Sequence, residues 1–343
     1  MADDLIEKWA QLRQVNPSLR IRNAAEILGV SELELLCTRL GNGVTLLQNE
    51  MPAILSMIPA LGYVMALTRN EECVIECKGS YKNGMLDKPH AGVFVGEDID
   101  LRMFFSHWKY AFTVVEEGAE SDKKSLQFFS NDGTAVHKVF LNSKSDHAVF
   151  DKIKEQFGTS GTATDVMIIH TEPEKPELKD SEIDAESFRH EWLSLRDTHE
   201  FSPIVHKYGM SRSQALRLAP VGGYAIRVDT SMVRVVLQEA ISREVPVMVF
   251  VGNKGMLQIF AGQIFNLVDH GEWLNILDPE FNLHLKEKEI SQCWIVRKPT
   301  LDGTVTGIEC FNEKGEQIVQ FFGKRKPGVP ELMSWREIVD IHG

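Results

Sequence analysis

The sequence predicts an α+β fold built twice. Three observations carry that prediction: the residues repeat once at a nearly constant offset, helical patterns open each half, and a run of β-rich segments separated by Gly- and Asn-containing turns follows. Trp9-Ala-Gln-Leu12-Arg13 returns as Trp192-Leu-Ser-Leu195-Arg196, 183 positions on. Gly29-Val-Ser31 returns as Gly209-Met-Ser211 after 180 positions, and Met51 as Met232 after 181. Leu101 matches Leu283, and Phe129-Ser-Asn-Asp-Gly133 matches Phe311-Asn-Glu-Lys-Gly315, both 182 on. Register held within three residues over more than 120 positions identifies a duplication.

Each half reads alike. Apolar periodicity predicts helices over 4–15, 20–28, 31–38 and 47–60, and over 185–207, 211–217 and 230–242. Alternating segments predict strands over 63–69, 72–79, 91–95, 109–116, 124–130 and 135–141, then over 246–251, 256–262, 292–297, 304–311 and 316–322. Turns such as Asn131-Asp132-Gly133 and Asn253-Lys254-Gly255 join strands as hairpins, so the sheets are antiparallel. The expected domains are 1–165 and 185–343. Between them lies a solvated linker over 166–184, where Thr171–Asp184 holds Pro173, Pro176 and eight charged residues.

The most apolar stretch, Met51–Thr68, is long enough to raise a membrane span, but Pro52, Pro59 and Gly62 break it. Its mate, Met232–Phe250, contains Arg234, Glu239, Arg243 and Glu244, charges that a span does not carry; both stretches read as a helix feeding a strand. The acidic start, Met1-Ala2-Asp3-Asp4, is unlike a secretory signal. Five cysteines form no disulfide framework, and Cys73 with Cys77 lacks the second pair a tetrahedral metal site needs. A cytoplasmic protein is expected. Its net charge of −12 argues against nucleic acid and against stable association with an anionic membrane. The glycine-rich dinucleotide loop, the phosphate loop, the H-E-x-x-H zinc helix and the nucleophile elbow all fail to occur.

Duplication supplies a filter. A repeated fold doubles its structural residues, so a polar residue present in one half alone is a functional candidate. His199 stands where the first half has Asn16, and Arg102 stands where the second has His284. His206, seven residues after His199, would share its helical face and competes with it among eleven histidines. By themselves these residues name no ligand, and a duplicated interaction domain without cofactor stays open.

Four strings taken together resemble a known family. They are Asp197-Thr-His199-Glu-Phe201, Ser211-Arg212-Ser-Gln214-Ala-Leu-Arg217, Trp294-x-Val-Arg297-Lys298-Pro299-Thr300-x-Asp302-Gly303 and Gln320-Phe-Phe322-Gly323-Lys-Arg325. Over nearly the whole chain the sequence is similar to the HemS/HmuS/ChuS-type haemin-degrading and haemin-transport proteins of bacteria. The resemblance implies two α+β repeats and haem as the ligand. It places the chain in bacterial haem uptake and iron acquisition, receiving haem from an ABC transporter. It implies either oxidative degradation with an external reductant, or carriage of intact haem to a separate haem oxygenase.

Residue by residue, the resemblance implies that His199 is the axial ligand of the haem iron. Arg102 becomes a distal arginine and Phe104, two residues on and facing the same way, an apolar gate. Arg212, Lys298 and Arg325 become cations near the propionates, where guanidinium forks suit carboxylates. Gln320 and Phe322 share a strand face, and Phe250 either lines the haem or fills the sheet. Without the resemblance, Lys298 and Arg325 read equally as strand-edge charges, and Phe104 and Phe322 as core aromatics. Many members carry tyrosine at Phe322, so its hydroxyl is missing here.

Overall fold

A computed structural model describes residues 2–17, 19–118, 121–162, 165–169, 176–326 and 328–342. The chain divides into two compact units, residues 1–69, 76–172 and 253–258 in the first and residues 70–75, 173–252 and 259–343 in the second. Part of the expected linker, Thr171–Lys175, lies outside the described residues.

The first half runs α1 (Ala2–Val15), α2 (Ile21–Leu28), α3 (Glu32–Cys37), β1 (Val44–Leu46), α4 (Met51–Met57) and β2 (Gly62–Arg69). It continues β3 (Cys73–Gly79), β4 (Ala91–Val95), β5 (Asp100–Phe104), β6 (Tyr110–Glu116), β7 (Lys123–Phe129), β8 (Ala135–Ser145) and α5 (His147–Phe157). The second half repeats that order: α6 (Ala185–Leu193), α7 (Phe201–Lys207), α8 (Arg212–Arg217), β9 (Ala225–Val228), α9 (Met232–Ser242) and β10 (Val247–Gly252). There follow β11 (Met256–Gly262), β12 (Leu267–His270), β13 (Trp273–Leu277), β14 (Phe281–Leu285), β15 (Gln292–Lys298), β16 (Val305–Phe311), β17 (Gln317–Gly323) and α10 (Met333–His342).

Local chemistry starts and stops these elements in the same way in both halves. Ser31 caps α3 by accepting the N–H of Glu34, whose carboxylate reaches back to the Ser31 N–H, and Ser211 caps α8 through Gln214. Each cap packs against the turn of the β7–β8 or β16–β17 hairpin. Gly133 and Gly315 hold φ of 86° and 78° there. A Cβ on Gly133 would lie 2.4 Å from the Ser31 hydroxyl, and one on Gly315 2.8 Å from that of Ser213, so only glycine serves.

The sheets follow. In the first unit the antiparallel order is β1-β6-β7-β8-β2; in the second it is β9-β15-β16-β17-β10, the same order one repeat later. Even the irregularity is duplicated, with the register shifting between Phe128 and Phe129 and again between Cys310 and Phe311. The fold class read from the repeats is the one observed. Helices do not only open each half, however: α5 and α10 close them. The expected helix over 185–207 is also broken, because Asp197 caps a new helical turn at Thr198–Glu200 and Glu200 reaches back to the Arg196 and Asp197 N–H groups.

The second unit's sheet is covered differently on its two faces. Trp335 of α10 presses against Gly323, on the side of Phe321, and its indole N–H donates to the Thr306 carbonyl. On the other side α6, α7 and α8 bury Phe188, Trp192, Phe201, Ala215 and Leu216 against Trp294 and Val296. That second face carries the candidate residues.

Candidate functional site on the second unit

Register fixes which side chains share this face. Phe250 stands opposite Gln320, Gln320 opposite Glu309 and Phe322 opposite Gly307, while Trp294 stands opposite Glu309. Phe250 and Phe322 meet edge to face with centroids 5.1 Å apart. A Cβ at Gly307 would lie 2.3 Å from the Phe322 ring, so that glycine makes room for it. Phe322 and Gln320 are buried and Phe250 half-buried.

Glu309 is the centre of the face and carries its one fully buried carboxylate. Arg212 grips it with Nε and Nη2, both at 2.8 Å, Lys298 Nζ donates at 2.8 Å, and Gln317 Nε2 donates at 3.1 Å. Burial opposes its ionisation, yet the two cations hold Glu309 well below the usual carboxylate range. Lys298, whose side chain is only 4% exposed, is pushed down by burial to about 8 against the pull of Glu309. Both cations also sit over the Phe201 ring, Arg212 at 4.7 Å and Lys298 at 4.9 Å from its centroid. Two positive charges on one carboxylate leave the cluster net positive. Arg212, 20% exposed, presents that charge at the surface, and Lys298 supports it from below.

His199 lies in the helical turn Thr198–Glu200 that leads directly into α7. Its ring is 79% exposed, and Nδ1 lies 2.5 Å from the Asp197 carboxylate. The His199 backbone N–H donates to the same oxygen at 2.8 Å. That bond first, then the imidazole, hold Asp197 below its ordinary value, so the carboxylate is ionised and Nδ1 carries the proton. Nε2 is the ring nitrogen left for a metal, since a neutral imidazole with Nδ1 protonated coordinates through Nε2. The charge of Arg325 also acts on Asp197, and Arg325 Nη2 contacts Asp302 at 3.3 Å. His206 lies exposed in the last turn of α7.

The structure thus brings Arg212, Lys298, Gln320, Phe322 and Phe250 onto one face, with His199 held by Asp197 just before α7 and Arg325 against Asp302. Arg102 and Phe104 belong to the first unit. They occupy alternate positions of β5, Phe104 is 42% exposed, and Arg102 Nη1 engages Asp100 and the Leu101 carbonyl. Sequence reading missed Glu309 and the role of Asp197. A lone carboxylate inside the apolar Ile308–Phe311 run signals the first, and the Asp197-x-x-Glu200 capping pattern the second.

The first unit's mates sharpen the contrast. Glu32 takes the place of Arg212, Gln127 that of Glu309 and Lys138 that of Gln320. There Lys138 and Glu32 form a buried ion pair, so the charges are exchanged between helix and sheet.

Known proteins decide what this arrangement belongs to. The family described as "Haemin-degrading HemS.ChuX domain" matches residues 29–157 and again 209–342. The chain belongs to the HemS family. It is 35% identical over 339 residues to the hemin transport protein HemS of Yersinia enterocolitica, covering 98% of this chain and 96% of that one. The hemin transport protein HmuS of Yersinia pestis matches at the same identity and coverage. Holo-PhuS, a heme-binding protein from Pseudomonas aeruginosa, superposes with a TM-score of 0.95 at 42% identity, covering 100% of this chain and 99% of that one. The heme-degrading enzyme ChuS of Escherichia coli O157:H7 superposes with a TM-score of 0.91 at 30% identity, with the same coverage. Among the described residues of this HemS-family chain no helix is long and apolar enough to cross a membrane. No group of three or more His, Cys, Asp or Glu among them is arranged to hold a bare metal ion.

Proposed function

We propose that this chain binds haem through His199 and degrades it oxidatively in bacterial haem uptake, releasing its iron. The observation that carries the reading is His199 itself. It is present in one half only, its Nδ1 is engaged by Asp197, and its ring is 79% exposed. The chemistry of the surrounding groups fits haem as substrate: aromatic edges from Phe250 and Phe322 suit the porphyrin plane, and the net-positive Arg212–Lys298–Glu309 cluster, with Arg325, suits the propionates. Arg102 and Phe104 are proposed as further haem contacts on the family resemblance, Arg102 as a hydrogen-bond donor and Phe104 as an apolar cover. Haem supplies the redox-active iron, and an external reductant supplies electrons.

The protein is proposed to work in the cytoplasm, taking haem from an ABC transporter. Carriage of intact haem to a separate oxygenase is the second reading, favoured by the similarity to the hemin transport proteins HemS and HmuS.

Titration with haemin tests the first step. A saturable one-to-one Soret band is expected, and its absence overturns both readings. His199→Ala is expected to shift that band and weaken binding; an unchanged spectrum moves the ligand to His206. Ascorbate, with catalase present, then separates the readings. Loss of the Soret band with iron release supports degradation, and a persistent band with transfer to an oxygenase supports carriage.

A further inference from the structure

The contacts around His199 go further than the presence of a ligand. An imidazole this exposed would ordinarily sample several rotamers and both neutral tautomers. Here one oxygen of Asp197 takes both the Nδ1 proton at 2.5 Å and the His199 backbone N–H at 2.8 Å, which fixes ring and backbone together. Asp197 is itself fixed. The Glu200 carboxylate accepts its N–H at 3.2 Å and that of Arg196 at 2.8 Å. The Leu301 N–H donates to the Arg196 carbonyl at 3.0 Å, and the next residue, Asp302, accepts from Arg325 and, at 2.9 Å, from the Gly328 N–H. The turn at 300–303 thereby braces both the loop bearing Asp197 and the arginine whose charge reaches it.

We propose that Asp197 is the positioning residue of the haem ligand, its carboxylate holding the Nδ1 proton so that His199 Nε2 faces iron as a fixed and strongly donating imidazole. The proposal rests on the haem-binding reading. A carboxylate on the far nitrogen of a metal-bound histidine orients the ring and raises its basicity, and losing such a partner typically weakens metal binding about 10–100-fold. A more basic imidazole also favours ferric over ferrous iron.

Two variants test it in the full chain loaded with haemin. Asp197→Asn keeps an oxygen for the His199 backbone N–H but removes the charge, and Asp197→Ala removes both. The iron–histidine stretch of the ferrous complex, read by resonance Raman, is expected to move to lower frequency in each, and the midpoint potential to rise. Haemin affinity is expected to fall about 10–100-fold in Asp197→Ala. Unchanged thermal unfolding of Asp197→Asn together with a lowered stretch separates positioning from folding. A wild-type stretch and potential in both variants overturns the proposal while leaving haem binding intact. Failure of the wild-type chain to bind haemin overturns the haem reading, and an unchanged spectrum in His199→Ala moves the ligand to another residue; the proposal falls with either.

Discussion

Arg212 and Glu309 meet as fork and carboxylate, with Nε 2.8 Å from Oε2 and Nη2 2.8 Å from Oε1. The carboxylate is fully buried and also takes the ammonium of Lys298, so it neutralises two cations at once. Glu309→Gln leaves both uncompensated. Breaking a buried pair from one side costs about 3–5 kcal/mol, and that loss is expected in urea unfolding. The cost depends on pH in a defined direction. Lys298 already sits near 8 because of burial, and without Glu309 it falls further. Between the variant's lower value and 8 the folded variant sheds a proton that the folded wild type keeps. The difference in stability is therefore expected to shrink from about pH 6 to about pH 9. A difference constant across that range would show that Lys298 is not the group left unpaired.

His137 makes the opposite kind of prediction in the first unit. Its Nδ1 lies 2.9 Å from the Thr68 hydroxyl and its Nε2 2.6 Å from the Tyr81 hydroxyl, all three side chains being buried. Burial disfavours the imidazolium and holds His137 down at about 3. The unfolded chain takes up a proton below its ordinary value of 6.5, while the folded chain does not. The stabilisation is complete above 6.5 and is lost as pH falls toward 3, at about 1.4 kcal/mol per unit. At about pH 5 the wild type is expected to lose about 2 kcal/mol relative to neutral pH, and His137→Gln to show a flatter profile. Equal slopes in the two proteins would sink the assignment.

Much of this was legible in the sequence, because duplication writes each structural feature twice. The five anchors fall on elements that correspond one for one, and the N-cap serines Ser31 and Ser211 occupy the same joint in both halves. Short elements escaped: β1 and β9, three and four residues long, carry too little pattern for a period to show. The break before His199 escaped for a different reason. Phe188, Trp192 and Leu195 form one helical stripe and Phe201, Ile204 and Val205 another out of phase with it, and the change falls in a polar run marked only by the reciprocal Asp197–Glu200 cap. Glu309 escaped because its partners come from α8 and β15, far away in sequence, so their convergence is a property of the packed sheet.

Gly307 tests how tightly the candidate face is packed. A methyl group there would sit 2.3 Å from the Phe322 ring, which itself packs edge to face on Phe250. Gly307→Ala is expected to cost about 1–3 kcal/mol and to displace Phe322. If Phe322 lines the haem as proposed, the Soret band moves as well. A destabilised variant with a wild-type spectrum would remove Phe322 from the site. Phe322→Tyr is expected to leave stability nearly unchanged because the ring position is retained.

The exchanged charges of the two halves give the last test. Lys138 and Glu32 stand at the mates of Gln320 and Arg212, and Glu32 is held below its ordinary value by Lys138 against the effect of burial. In the first unit the Lys138–Glu32 pair is buried, and the charges of Arg69 and Arg22 also act on Glu32. In the second, two cations share one carboxylate and positive charge is left over. The first keeps its ion pair buried, whereas the second presents its surplus at the surface through Arg212, 20% exposed. Lys138→Gln is therefore expected to destabilise the chain by about 3–5 kcal/mol, by stranding Glu32, while leaving haemin affinity within about twofold of wild type at a temperature where the variant is folded. Arg212→Gln, the substitution at the opposite member of the exchanged set, is expected to weaken haemin binding because it removes the exposed part of the surplus charge. Parallel stability and haemin titrations on the two variants decide it. If both lose affinity equally, the surplus charge on the second unit is not what receives the ligand.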